Sequence, residues 1–170
     1  EQSWGYRETE DYHSIRYLTC SIDHIMSMGG SYLLNVGPMS DGTIDEKSKA
    51  IIERVGKWYN KMEGSLENVV ADEFDYGVMV HKCIVNKKNN KSYFNFYEGI
   101  YSSAVSFKNY PALPKRVRLL NTGADLPFAI DKLPGFFDIN TGKCDGEYLH
   151  ITNIPIDDLE NEPIVIEIEW

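Results

Sequence analysis

The rhythm of apolar positions changes once along the chain. Up to about residue 66 they recur at steps of three and four, and from Gly77 onward they alternate. Ile15, Leu18, Ile22, Ile25 and Met26 make one stripe, which predicts a helix starting near His13 and capped by Gly29, a residue free to take the left-handed conformation of a helix end. Tyr32 to Val36 is then an apolar run interrupted only by Asn35 and closed at both ends by Gly29-Gly30 and Gly37-Pro38. Unbroken apolarity between such breakers predicts a strand buried on both faces. Thr43-Ile44-Asp45-Glu46 reads as a capping box, with Thr43 at the helix start. Ile51, Ile52, Val55, Trp58, Tyr59 and Met62 give the second helix its buried stripe, and Gly64 ends it. Helix, buried strand, helix is the order of a parallel α/β sheet or barrel, whose chemistry sits on the loops beyond the strands' C-terminal ends.

The second half has a period of two. Val78 to Val85 and Tyr93 to Tyr97 predict a hairpin across Lys87-Lys88-Asn89-Asn90-Lys91, with Phe94 and Phe96 on one face. Further strands are expected at Val117–Leu120, Leu126–Ile130, Phe136–Ile139, Tyr148–Thr152 and Ile164–Trp170. In the last of these Ile164, Ile166, Ile168 and Trp170 face one way, Glu167 and Glu169 the other. Short strands with turn signals between them make an antiparallel β-sandwich. The fold class is thus α/β plus all-β, divided as residues 1–66, a linker over 67–76, and a sandwich over 77–170 that carries enough strands to bury its own core.

Composition narrows the partners. Net charge is −9, from 26 acidic and 17 basic residues, so the surface repels phosphate backbones and nucleic acid is excluded as a partner. No apolar run reaches the roughly 18 residues of a membrane span, and no signal peptide is visible. The chain opens on Glu1-Gln2-Ser3-Trp4 and is expected to be a piece of a longer polypeptide. Cys20, Cys83 and Cys144 are odd in number and far apart, and His13, His24, His81 and His150 share no ligand spacing with them, so neither a disulfide framework nor a metal site is expected. Asp41, the carboxylate nearest the loop after the run, reads as a turn aspartate before Gly42.

Four signatures fall in order over the first sixty residues: Ser3-Trp4-Gly5-Tyr6-Arg7; Gly29-Gly30 followed by Leu33-Leu34-Asn35-Val36-Gly37-Pro38; Asp41-Gly42-Thr43-Ile44; and Gly56-Lys57-Trp58. Together they resemble the end of the catalytic domain of α-L-fucosidases, glycoside hydrolase family 29, with Ser31 standing where that family usually carries Asn. Arg118-Leu119-Leu120, Gly123, Leu126 and Tyr148-Leu149-His150-Ile151 resemble, in the same order, the β-sandwich that closes these enzymes. The resemblance implies the last βα units of a (β/α)8-type barrel followed by a sandwich, and fucosylated glycans or fucosides as substrates. It implies that Trp4 lies against bound fucose, a 6-deoxy sugar with an apolar face that an indole can cover. Such enzymes retain configuration with two carboxylates about 5 Å apart and need no cofactor. By the resemblance both carboxylates belong upstream of Glu1, so no catalytic residue is assigned in this chain and the upstream barrel becomes its partner. A different class is a non-catalytic module in which the sandwich binds glycans through Tyr93, Tyr97 and Tyr101, or serves structure alone.

Overall fold

The computed structural model describes residues 4–62, 64–78, 80–132 and 146–170. Two helices come first, α1 (Ile15–Ser27) and α2 (Glu46–Lys61), followed by eight strands: β1 (Val70–Ala71), β2 (Ile84–Lys88), β3 (Lys91–Phe96), β4 (Val105–Phe107), β5 (Arg116–Leu119), β6 (Phe128–Lys132), β7 (Glu147–Ile151) and β8 (Ile164–Glu169), with a 3-10 turn at Ile156–Leu159. All described pairings are antiparallel. One sheet has the order β1-β2-β3-β8-β5 and the other β4-β7-β6. The expected Phe136–Ile139 strand and Cys144 lie outside the described residues.

The sandwich core follows from alternation. Phe94 and Phe96 on β3 point the same way as Ile164, Ile166 and Ile168 on β8 and Val117 and Leu119 on β5, and meet Phe107, Leu149 and Ile151 from the other sheet. Each such side chain taken out of water contributes about 1.5–3 kcal/mol. The turn between β2 and β3 is Asn89-Asn90, and Asn89 takes the left-handed conformation that asparagine tolerates. Before β2, the Asp72 carboxylate accepts from the hydroxyls of Tyr76 and Ser92, both at 2.8 Å, and Trp170 Nε1 donates to Ser92 Oγ at 2.9 Å. That network and the β1–β2 pairing seat residues 70–76 on the sandwich.

The larger sheet is buried on its other face as well. Tyr93, Val165 and Leu120 pack there against Leu18 and Ile22 of α1, Val55 and Trp58 of α2, and Met62 and Leu66 just beyond it. The layers are therefore helix pair, five-stranded sheet, three-stranded sheet. At the edge of the helix-covered face Glu167 stays buried because Lys91 Nζ (3.1 Å) and Arg118 Nη2 (3.3 Å) flank it. Arg16 fastens α1 by donating to the carbonyls of Glu98 and Glu160, and Lys61 fastens α2 through Glu162 at 2.8 Å.

Two local expectations are corrected. The helix α2 starts at Asp45 rather than Thr43: the Asp45 carboxylate accepts from Ser48 N at 3.0 Å, while Asp41 holds Thr43 through its N–H (3.0 Å) and hydroxyl (2.7 Å). Aspartate is as good a cap as threonine, and the one placed against the first free N–H groups wins. Asp41 is the turn aspartate expected. The second correction is larger. Tyr32–Val36 forms no strand: residues 30–39 run without a ladder partner, and Leu33 is 90% exposed. A strand built to be covered on both faces needs neighbours, and among the described residues no strand stands beside it.

Candidate functional site

The two most distinctive sequence motifs meet backbone to backbone. A Cβ placed on Gly37 would lie 2.4 Å from the carbonyl carbon of Gly5 and 2.4 Å from Tyr6 N. No side chain fits on Gly37, so that glycine is required by close approach rather than by turn conformation, whereas a Cβ on Gly5 would meet nothing within 4 Å. Gly5 sits in the aromatic turn and Gly37 ends the 32–36 segment, so the contact sets Trp4 beside the end of that segment. Trp4 is 91% exposed.

Next to this contact is a cavity of about 130 Å³, reached by Tyr6, Tyr12, Asn35, Asp45 and Ile52. Its polar side is organised from α2's start. Tyr12 donates to Asp45 Oδ1 at 3.2 Å, and Lys47 Nζ sits 4.1 Å from the centre of the Tyr12 ring. Partial burial pushes the Tyr12 hydroxyl up, with Asp45 adding to the effect, whereas hydrogen bonds from the Ser48 hydroxyl and N–H hold Asp45 below the usual carboxylate range. Asp45 is thereby an anion tied to a helix N-terminus. Its cap bond and its tyrosine partner explain its position without any reaction. Its apolar side is Leu34, Val36 and Ile52, and with Trp4, Tyr6 and Leu33 it makes an open apolar surface around the motif residues.

The expected site residue, Trp4, thus stands at the edge of this surface, next to Gly5 and Gly37. Asn35 lines the cavity. The tyrosines of the glycan-binding alternative are dispersed: Tyr93 is buried under the helices, Tyr97 stacks on His24 (ring centres 4.1 Å, 6° between planes), and Tyr101 is exposed beside His81. They form no shared platform. No group of three or more His, Cys, Asp or Glu able to hold a metal occurs among the described residues, and no helix there is long and apolar enough to cross a membrane.

Sequence reading missed the Gly5–Gly37 contact, although both glycines stood in the motifs, because the approach joins residues some thirty positions apart. It also missed Asp23, fully buried on α1. The available signal was Thr19, Asp23 and Ser27, three polar residues at four-residue steps, hence one face of the helix.

Comparison with known proteins gives these motifs a home. The family model for α-L-fucosidase matches residues 1–64. Tissue α-L-fucosidase of Bos taurus is 39% identical over 61 residues, 34% of this chain and 13% of that protein. Among solved structures, α-L-fucosidase isoenzyme 1 from Paenibacillus thiaminolyticus aligns with 98% of this chain and 37% of its own, at 25% identity and a TM-score of 0.67. Thermotoga maritima α-fucosidase in complex with fucose aligns over 97% of this chain and 36% of its own, at 26% identity and a TM-score of 0.64. The chain spans little more than a third of these solved relatives. The chain thus resembles α-L-fucosidases by sequence over its first 64 residues and by fold over nearly its whole length, matching a portion of those longer proteins.

Proposed function

We propose that the chain is the C-terminal part of an α-L-fucosidase, a retaining glycoside hydrolase that releases α-linked L-fucose from fucosylated glycans. In this reading residues 1–66 are the end of the (β/α) barrel, residues 67–76 the connection, and residues 77–170 a sandwich that buttresses the barrel. The observation that carries it is the Gly5–Gly37 contact: it joins two family motifs and leaves Trp4, Leu33 and Leu34 facing outward as an apolar surface. A surface of that kind calls for a covering partner, and the upstream barrel is the partner that the motifs suit. Trp4 then lines the pocket and covers the apolar face of the sugar, while both catalytic carboxylates come from upstream. The mechanism runs on those carboxylates and needs no cofactor.

The test of Trp4 is made in the longer protein. Trp4→Ala removes apolar cover from the sugar, and a contact of roughly 1–3 kcal/mol corresponds to about a tenfold to hundredfold loss in kcat/KM. Trp4→Phe keeps a flat apolar face and should recover much of that loss. An unchanged kcat/KM in Trp4→Ala would return the tryptophan to packing on the rim.

A further inference from the structure

Asp23 is the least explained side chain of the fold, and it lies away from the sugar-facing surface. It sits on α1 between Thr19, whose hydroxyl is 3.3 Å from the Asn161 carbonyl, and Ser27, whose carbonyl accepts from Asn86 Nδ2 at 3.4 Å. Both anchors belong to the sheet side, so Asp23 between them is held against the sheet. It is 0% exposed, and neither of its oxygens has a hydrogen-bond partner among the described residues. The side-chain oxygens of Asn86 on β2 and Asn95 on β3 are likewise buried and without partners there. These two asparagines lie on the same face of the sheet, diagonally across the β2–β3 ladder. Asn95 Nδ2 is already committed to the carbonyls of Ile84 and Tyr93. The interface between α1 and the sheet is therefore rich in acceptors and short of a donor.

We propose that Asp23 is a buried proton-holding group that fastens α1 to the sheet, its neutral carboxyl O–H supplying the donor that this interface lacks, so that loss of the proton loosens the helix layer. Four side-chain acceptor oxygens are buried here without partners among the described residues, and an ionised carboxylate beside them would be a buried charge without a counter-ion. Burial alone pushes the Asp23 carboxyl up to about 8. Among the described residues no cation answers it: on the same sheet face Lys88 donates to the Glu67 carbonyl and Lys91 pairs with Glu167. On α1, Arg16 is turned to the carbonyls of Glu98 and Glu160, and His24 stacks on Tyr97. Cys20, one turn earlier, has its thiol pushed up by burial, and Cys83, ahead of β2, is pushed up strongly by burial and then by Asp23 itself. His81 lies against Phe96 and Tyr101, with its ring held down by burial. The facing residues of α2 are Val55 and Trp58, which carry no charge. This inference rests on the fold and is independent of the fucosidase reading.

The direction of the pH effect follows. In the unfolded chain the carboxyl titrates near its ordinary 3.8, and in the folded chain near 8. Between those values the folded state holds one proton more, so raising the pH shifts the equilibrium toward unfolding, approaching tenfold per pH unit from this group. The effect ends above about pH 8, where both states are ionised. Urea unfolding of the chain between pH 5 and 8, compared with Asp23→Asn, reads this directly. Asp23→Asn should flatten the dependence by close to one proton, since the amide keeps the shape and a donor but cannot ionise. Infrared difference spectra of wild type at pH 6 should show a protonated carboxyl band assigned to Asp23, which decides the matter even if the variant folds poorly. Equal pH slopes in wild type and Asp23→Asn, or a carboxylate band at this position at pH 6, would overturn the proposal.

Discussion

The Gly5–Gly37 approach makes the sharpest prediction at the residue scale. Gly37→Ala puts a methyl group 2.4 Å from two backbone atoms, and backbone cannot rotate aside as a side chain can. Overpacking of this kind costs about 1–3 kcal/mol, so the melting temperature should drop by several degrees. Gly56→Ala is the control: its added Cβ meets nothing within 4 Å, and alanine is the better helix former by about 1 kcal/mol. Equal melting temperatures for wild type and Gly37→Ala would mean that the two motifs do not touch. Much at this scale was legible beforehand: Asp41 as a turn residue and Gly29 as a helix terminator, observed with φ of +82°. Asp23 was not, because a single aspartate beside an apolar stripe reads as a surface residue until a sheet is found against it.

Among the elements, periodicity foretold those that bury a face within this chain. The helices, β3 and β8 fall where the three-to-four and two-residue rhythms put them. The expected strand from Val78 to Val85 is corrected to β2 at Ile84–Lys88, with the turn confined to Asn89-Asn90 because Lys87, Lys88 and Lys91 join the ladder. The alternation of Ile164, Ile166 and Ile168 against Glu167 is observed, with the refinement that Glu167 is buried between two cations. β4 escaped notice because Val105-Ser106-Phe107 is too short to show a rhythm. Tyr32–Val36 showed a strong strand pattern and forms no strand, since among the described residues no strand stands beside it. What the pattern concealed was the second coat on the larger sheet. Tyr93, Leu120 and Val165 are apolar on the face turned away from the sandwich core, and the helix pair covers them. A chain cut to residues 77–170 should therefore keep its β-type circular dichroism but bind a hydrophobic dye and melt below the 170-residue chain. Identical melting with no dye binding would show that the helix layer contributes nothing to the sheet.

Viewed whole, the molecule is closed on one side and open on the other. Two sheets bury a continuous core, helices seal the outer face of the larger sheet, and Arg16 and Lys61 tie the helices down. Around Trp4, Leu33 and Leu34 apolar groups face solvent. In the proposed function that open surface is covered by more of the same protein; the chain spans little more than a third of the solved relatives. We propose that this chain supplies the wall and the support of a fucosidase but neither carboxylate. An assay of aryl α-L-fucoside hydrolysis tests it most directly, run on the purified 170-residue chain and on a longer protein containing it. The account predicts turnover with retention of configuration in the longer protein and none by the chain alone. Turnover by the purified 170-residue chain would contradict it.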